Sequence, residues 1–582
     1  MRSPRLCRLI ASACAAGLAH AASSDDRIEA LFRPPLGEWA ALSPDGRRVA
    51  YTAPAGGELT IVMLGVEPTG PRRIVTVAPE RREATSAEEP PAGLRFLRWA
   101  TDNRLVFAPV ARVVPLPPVT DAQGRLAPNP DGPVIISPIL ATDADGRQRG
   151  ALVDAKDFQE APEGARRTLA DFLRTPQELT ATRKGVDAVG WRMPHLDILG
   201  FHPRDREQII VGTHGAHSMP LRHLVDIRTG NVQAFGDEWP APPGAPHVYD
   251  WFRLKTVGER HAAGAQPVTL WRDDELGKIQ RELDRKFPRR TVELLDWSET
   301  RARLLVRVTG GVDPGRIFVW QRTEDLMVEV FQRAPWLTAA KLNATRFHEF
   351  AAADGAKLSA WLTWPTRPRA AAPPLVVVFP RGFPGQAQPP FDPEAQVLAD
   401  LGFAVARLNH RAVAGVREED RAALRAAIDR VAVDDARAAI AWLAAQGGAR
   451  TVDRGRIAAM GHGFGGWLAL RALQLEPALF RGGVAVAAPA DLQAWLRTPA
   501  AAQCLPAEWI EHTLRQGTKL PARAQAESMA TPMLLLAEPA HEPGSAVGQP
   551  AARAAAYRRI GEFLGLHLHD HAAAPDPVEA VP

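Results

Sequence analysis

Between Arg456 and Leu473 the chain reads Arg-Ile-Ala-Ala-Met, then Gly461-His462-Gly463-Phe464-Gly465-Gly466, then Trp-Leu-Ala-Leu-Arg-Ala-Leu. A short apolar run, a turn dense in glycine and a helix-forming run constrain the fold more than any other segment. A strand that turns this sharply into an apolar helix belongs in a parallel sheet covered by helices. The glycines supply the close backbone approach and positive φ that such a turn needs.

The flanking sequence repeats the same alternation. Phe347–Phe350 and Leu358–Trp364 flank Asp354-Gly355 as a hairpin, and Leu375–Phe379 is a β-branched run of the kind buried on both faces. Pro393–Leu401 then reads as a helix, Ala404–Leu408 as a strand and Val431–Ala445 as an amphipathic helix. Ile457–Met460, Val484–Ala487 and Met533–Leu536 are further strands, and Tyr557–Leu568 is a closing helix. Residues 346–568 are therefore expected to form an α/β domain with a mostly parallel sheet and helices on both faces.

Residues 25–335 have a different texture. An apolar strand, a polar turn and a second apolar strand recur at Ala41–Tyr51, Leu94–Phe107, Phe201–Val211 and Leu294–Val306. Such repetition over about 300 residues suits the blades of a β-propeller, with a β-sandwich or two smaller β domains as the alternatives. Pro- and Ala-rich stretches near 115–140 and 239–247 read as long surface loops.

Arg2, Arg5 and Arg8 precede an apolar stretch, Leu9–Leu18, and the small-residue site Ala19-His20-Ala21. Residues 1–21 read as a signal peptide, which places the protein outside the cytoplasm, secreted or periplasmic, after cleavage near Ala21. That apolar stretch is much shorter than the roughly 20 residues that span a bilayer, and no later segment qualifies. Removing three arginines and no acids lowers the formal charge from +4 to +1, so nothing suggests a nucleic-acid surface. Cys7 and Cys14 leave with the signal, and Cys504 alone cannot form an intrachain disulfide. Metal-type Cys/His spacing and cofactor motifs are absent. The His567, His569, Asp570 and His571 cluster reads as a helix end, where histidine suits the negative pole of the dipole, and residues 569–582 as a disordered tail.

Strand, glycine turn, helix is the layout of a nucleophile elbow, whose tip normally carries a serine. Here the tip is Gly463, and no Gly-x-Ser-x-Gly occurs elsewhere in the chain. A plain glycine turn is the bland reading. The neighbouring runs argue for more, because the α/β half resembles the catalytic domain of the prolyl oligopeptidase family of serine peptidases, nearer its dipeptidyl peptidase and acylaminoacyl peptidase branch. The resemblance is carried by Asp392–Gln396 with Leu401–Val405, by Asn409-His410-Arg411-Ala412, by Asp434-Asp435 with Ala441-Trp442-Leu443, and by Pro477–Val484. It covers roughly 345–568 and extends more weakly to Asp313–Arg316 and Pro335–Leu337. It implies a propeller followed by an α/β-hydrolase domain.

The departures from the family pattern concern the catalytic parts. The oxyanion turn corresponds to Arg381-Gly382-Phe383-Pro384, and the backbone of Phe464 would supply the second oxyanion donor. In the family's acid loop stand His541 and Glu542. His541 falls on either the family aspartate or, by a second alignment, the family histidine, because a strand, a helix and the histidine loop look deleted before the last helix. The carboxy-terminal end of the hydrolase domain is thus expected to be shortened.

Three functions follow. One is an inactive peptidase homologue that binds peptides or a protein partner. Another is a weak hydrolase of peptides or esters with chemistry rearranged around His541 or Glu542. The third is a purely structural role for the α/β domain.

Overall fold

The computed structural model describes residues 24–568 with interruptions, of which the longest are 78–93, 154–194, 235–246, 502–509, 515–530 and 537–549. Residues 1–23 and 569–582 also lie outside the described residues, and with them the expected signal segment and tail.

The amino-terminal half consists of successive antiparallel sheets. Four-stranded sheets comprise Ala40–Leu42, Arg48–Ala55, Glu58–Gly65 and Val75–Val77; Leu94–Thr101, Arg104–Pro109, Ile139–Asp143 and Arg149–Val153; His195–Phe201, Gln208–Gly215, Ser218–Asp226 and Val232–Ala234; and Thr291–Trp297, Arg303–Gly310, Asp313–Gln321 and Leu326–Gln332. Between the last two lies a three-stranded sheet of His247–Asp250, Lys255–Ala263 and Gln266–Trp271. The first and last sheets share a core of Leu42, Val49 and Leu64 against Leu305, Ile317, Val319 and Val330. The Tyr51 and Phe331 rings stack there at 3.9 Å, and Leu42 N–H donates to Asp296 Oδ2 at 2.9 Å. The polar turn that recurs in the sequence is seen at Gly46, whose φ of +72° closes the turn between the first two strands.

Among the described residues, two helices break this texture. Helix α1 (Ser24–Phe32) precedes the first sheet yet packs on the carboxy-terminal half, where Ile28, Leu31 and Phe32 join the core formed with Val376, Val397, Tyr557 and Ile560. Arg27 fixes it by pairing with Asp400, Nε to Oδ2 at 2.5 Å and Nη2 to Oδ1 at 2.9 Å. Helix α2 (Asp274–Lys286) is capped by Asp273, whose side chain accepts the N–H groups of Glu275 and Leu276, with acids in its first turn and bases in its last. The strand-turn-strand reading of 25–335 contained no helix here. The apolar positions Leu276, Ile279 and Leu283 do carry helical spacing, and all three are fully buried.

The carboxy-terminal half is a seven-stranded mixed sheet. Its strands are β1 (Thr345–Ala351), β2 (Lys357–Thr363), β3 (Leu375–Phe379), β4 (Ala404–Asn409), β5 (Ile457–His462), β6 (Gly482–Val486) and β7 (Met533–Leu536), in the order β1-β2-β4-β3-β5-β6-β7. From β4 to β7 every pairing is parallel, while β1 and β2 are antiparallel. Alternate residues face opposite layers, as the two-residue period of a strand requires. Leu375, Val377 and Phe379 lie in one core with α4 (Glu418–Ala445) and α5 (Phe464–Leu475). Val376 and Val378 face α1, α3 (Pro393–Asp400) and the terminal helix α7 (Pro550–Leu568). A four-residue helix α6 (Leu492–Trp495) follows β6.

The expected strands and helices of this half are present, with two helices longer than expected. Helix α4 begins at Glu418 rather than Val431, because an acidic start and an alanine-rich run sustain a helix before the amphipathic pattern sets in. Helix α7 begins at Pro550 rather than Tyr557, and proline suits a first helical turn. Strand order reverses around β3: the chain passes from β3 to β4 on one side and then to β5 on the other. In open parallel sheets, ligand sites form at the carboxyl ends of strands at such a switch.

Candidate active site at the β5–α5 turn

The switch point puts the end of β5 beside the end of β3, with Gly461 paired to Phe379. Gly463 follows at φ +54°, ψ −122° and forms the N-cap of α5. Its N–H donates to Val486 O at 2.8 Å, and its carbonyl accepts the Trp467 N–H at 3.1 Å. The tip is therefore held from both sides by backbone hydrogen bonds, in a conformation that an L-residue adopts only under strain.

The four glycines of this turn are not equivalent. A Cβ on Gly461 would sit 2.1 Å from Gly465 O, and one on Gly465 would sit 2.5 Å from Pro380 O and 2.6 Å from Phe379 O. One on Gly466 would lie 3.1 Å from Gly461 O. These three let α5 pack against the ends of β3 and β5. At Gly463 an added Cβ meets nothing within 4 Å among the described residues. Among those residues, only the positive φ favours glycine at the tip.

Phe464 opens α5 and is buried, its ring 5.3 Å from Trp467 and 6.2 Å from Trp495. Arg381 follows Pro380 at the end of β3, and its Nη2 donates to Glu394 Oε1 at 3.0 Å. Gly382, Phe383, His541 and Glu542 lie outside the described residues, so of the expected site residues the structure places Gly463, Phe464 and Arg381. Of the expected helix-end cluster, His567 lies with its ring 4.6 Å from that of Phe563. His569, Asp570 and His571 are not described, and no metal-holding group of His, Cys, Asp or Glu occurs among the described residues.

The sequence reading missed what lies beneath the turn. His462 is buried, with Nε2 3.1 Å from Glu394 Oε2 and 3.2 Å from Tyr557 Oη. Glu394 sits in the first turn of α3, after the N-cap Asp392 whose Oδ1 accepts the Ala395 N–H at 2.8 Å. Arg553 of α7 also donates to Glu394 Oε1, at 3.1 Å. Burial alone would raise the Glu394 carboxyl. His462, then Arg381 and Arg553, outweigh it and hold the group well below the usual carboxylate range. Tyr557 moves the opposite way, raised well above its ordinary value by burial, by the charges of Glu394 and Asp392 and by its hydrogen bond to Glu394. No spacing in the sequence links Glu394, His462 and Tyr557, which come from a helix, a strand and the last helix.

The chemical capacity of this arrangement follows from its parts. Its tip has no oxygen or sulfur to attack a carbonyl. The neighbouring imidazole is turned by Nε2 toward a carboxylate and a phenol, so it braces the end of β5 against α3 and α7. The positive end of the α5 dipole remains.

Residues 389–542 match the prolyl oligopeptidase family. The resemblance drawn from Asp392–Gln396, Asn409–Ala412 and Pro477–Val484 is borne out by that match. No curated protein matches the chain. Among solved structures, the uncomplexed acylaminoacyl peptidase of Pyrococcus horikoshii is similar, with 13% identity, 93% of this chain and 90% of that chain covered, and a TM-score of 0.51. An acylaminoacyl peptidase in complex with Z-Gly-Gly-Phe-chloromethyl ketone gives 12% identity, the same 93% and 90% coverage, and a TM-score of 0.50. At such identities the likeness is one of fold. With the parallel sheet and the β5–α5 turn, it shows that the carboxy-terminal half has the α/β-hydrolase fold.

Proposed function

We propose that this homologue of the prolyl oligopeptidase family of serine peptidases is exported, does not cleave peptide bonds by serine chemistry, and binds peptides or a protein partner through the retained scaffold. The observation that carries this reading is Gly463. The elbow backbone is kept, the flanking Gly461 and Gly465 are sterically required, and the tip, where a Cβ would meet nothing among the described residues, has no side chain. Loss of the nucleophile alone leaves about 10³–10⁴ of rate over water in such enzymes, from binding and oxyanion contacts. The altered turn at Arg381-Gly382-Phe383-Pro384 and the shortened acid and histidine region take away further contributions. We further propose that the successive sheets before residue 335 are propeller blades, since the first and last of them share a core.

The test is turnover. Purified protein is assayed with peptide and ester substrates beside a Gly463→Val variant. This reading expects neither to exceed background; hydrolysis by the wild type that survives in Gly463→Val would point instead to chemistry rearranged around His541 or Glu542. Export is tested by recovering the protein from the periplasm or medium with its amino terminus near Ala22.

A further inference from the structure

Among the described residues the three-stranded sheet has no fourth strand like those of the other large sheets of this half, and its last strand, Gln266–Trp271, pairs with Lys255–Ala263 alone. The Arg272 N–H donates to Val257 O at 2.8 Å. By antiparallel alternation, the N–H groups of Thr269 and Trp271 and the carbonyls of Pro267, Thr269 and Trp271 then point away from the sheet. Neither N–H has a partner among the described residues. Helix α2 stands beside this edge, with a Cβ on Gly277 reaching within 3.5 Å of Trp271 Cβ. Strand and helix enclose a cavity of about 550 Å³. Val268 and Leu270 form an apolar lip, 38% and 57% exposed.

The charges along this cavity are segregated. Asp274 lies at the start of α2, while Arg281, Arg289 and Arg290 line the part reached a turn and more farther along. Asp273 is already held by Arg301, Asp284 accepts from Gln280, and Arg290 faces Asp313 at 3.7 Å. Arg281 and Arg289 have no acidic partner among the described residues. Unused strand donors and acceptors, an apolar lip and charge of opposite sign at the two ends together describe an acceptor for a short extended chain.

We propose that this groove binds a short peptide with free termini, which adds as a fourth strand antiparallel to Gln266–Trp271. Its carboxylate meets Arg281 and Arg289 and its amine meets Asp274. At about 3.4 Å per residue, the edge accommodates about four residues. Main-chain pairing of this kind supplies affinity with little demand on side chains. Pro267, which has no N–H, shortens the edge and disfavours pairing with a whole second copy of the chain. The site is separate from the β5–α5 turn and does not rest on the reading of Gly463.

Tetra-alanine with free termini is the probe. Hydrogen exchange should show protection of the Thr269 and Trp271 amides on its addition, with binding followed by calorimetry. Thr269→Pro should abolish binding, and Thr269→Val, which keeps the N–H, should bind as the wild type does. Arg281→Ala with Arg289→Ala should weaken binding at least about threefold, the scale of exposed charge pairs, and N-acetyl-tetra-alanine amide should bind the wild type more weakly by a similar factor. The proposal is overturned if the two amides gain no protection at saturating probe, if Thr269→Pro binds as well as Thr269→Val, or if these amides are protected without peptide in a concentration-dependent dimer.

Discussion

Glu394 Oε2 stands 3.1 Å from His462 Nε2, joining the first turn of α3 to the residue that immediately precedes the elbow tip. The carboxylate also gathers Arg381 and Arg553, so one largely buried acid pairs with two guanidinium groups and orients an imidazole. Removing its charge takes away the counter-charge that Arg381, Arg553 and His462 share, at a cost approaching that of a broken buried pair. Glu394→Gln should lower unfolding stability by about 2–4 kcal/mol in denaturant titration.

The pH dependence of that contribution has a definite sign. The Glu394 carboxyl is depressed in the folded state, so its stabilisation is complete above the ordinary carboxylate range and is lost as pH falls through the lower, folded value. Unfolding midpoints measured below pH 4.5 should therefore fall more steeply for the wild type than for Glu394→Gln. At the alkaline end, the raised Tyr557 phenol makes the folded state lose stability as pH climbs past about 10. Tyr557→Phe should remove that alkaline loss while costing about 1 kcal/mol at neutral pH.

The glycines of the turn should separate cleanly under substitution. Gly461→Ala and Gly465→Ala drive a methyl group into backbone at 2.1 Å and 2.5 Å, with no flexible side chain to yield. Each should cost more than about 3 kcal/mol or prevent folding. Gly463→Ala meets nothing among the described residues and bears the strain of its backbone conformation, about 1–3 kcal/mol. Thermal unfolding of the three variants gives the comparison.

In the amino-terminal half, Arg301 is the clamp on α2. Its side chain is 2% exposed, and its Nη2 donates to Asp250 Oδ2 at 2.6 Å while Nη1 donates to Asp273 Oδ1 at 2.7 Å. Burial works against the Asp273 charge, but the hydrogen bond from Arg301 and that from the Leu276 N–H bring its pKa down to about 2. Arg301→Met should lower stability by about 3–5 kcal/mol, because Asp250 and Asp273 lose their buried partner and keep only the more exposed Arg253 and Lys255. For Asp273, the contribution present above the usual carboxylate value is lost between about pH 4 and pH 2, so Asp273→Asn should flatten the unfolding curve in that window.

What was legible in the sequence was the part governed by local periodicity. Leu375–Phe379, Ile457–Met460 and Met533–Leu536 announce themselves as strands because they are continuously apolar, and Asp392-Pro393 announces α3 because a cap and a proline have fixed places in a first turn. The tip residue could be read off because the flanking glycines mark it. Helix α1 was not legible as part of the α/β half, since its partners Asp400 and Tyr557 lie hundreds of residues away and nothing local encodes them. The same holds for Glu394, His462 and Tyr557, which meet only because the sheet order reverses at β3. Helix α2 was missed because its charged surface masks a three-residue apolar stripe.

The central claim is that a serine-hydrolase scaffold has kept its elbow and lost its chemistry as a whole. A fluorophosphonate probe applied to the wild type and to Gly463→Ser tests it most directly. We expect no labelling of the wild type, and none of the folded Gly463→Ser variant, because restoring the hydroxyl does not restore its activating partners. Labelling of the wild type would contradict the absence of a nucleophile. Labelling of Gly463→Ser alone would show an otherwise intact site and contradict loss of the machinery as a whole.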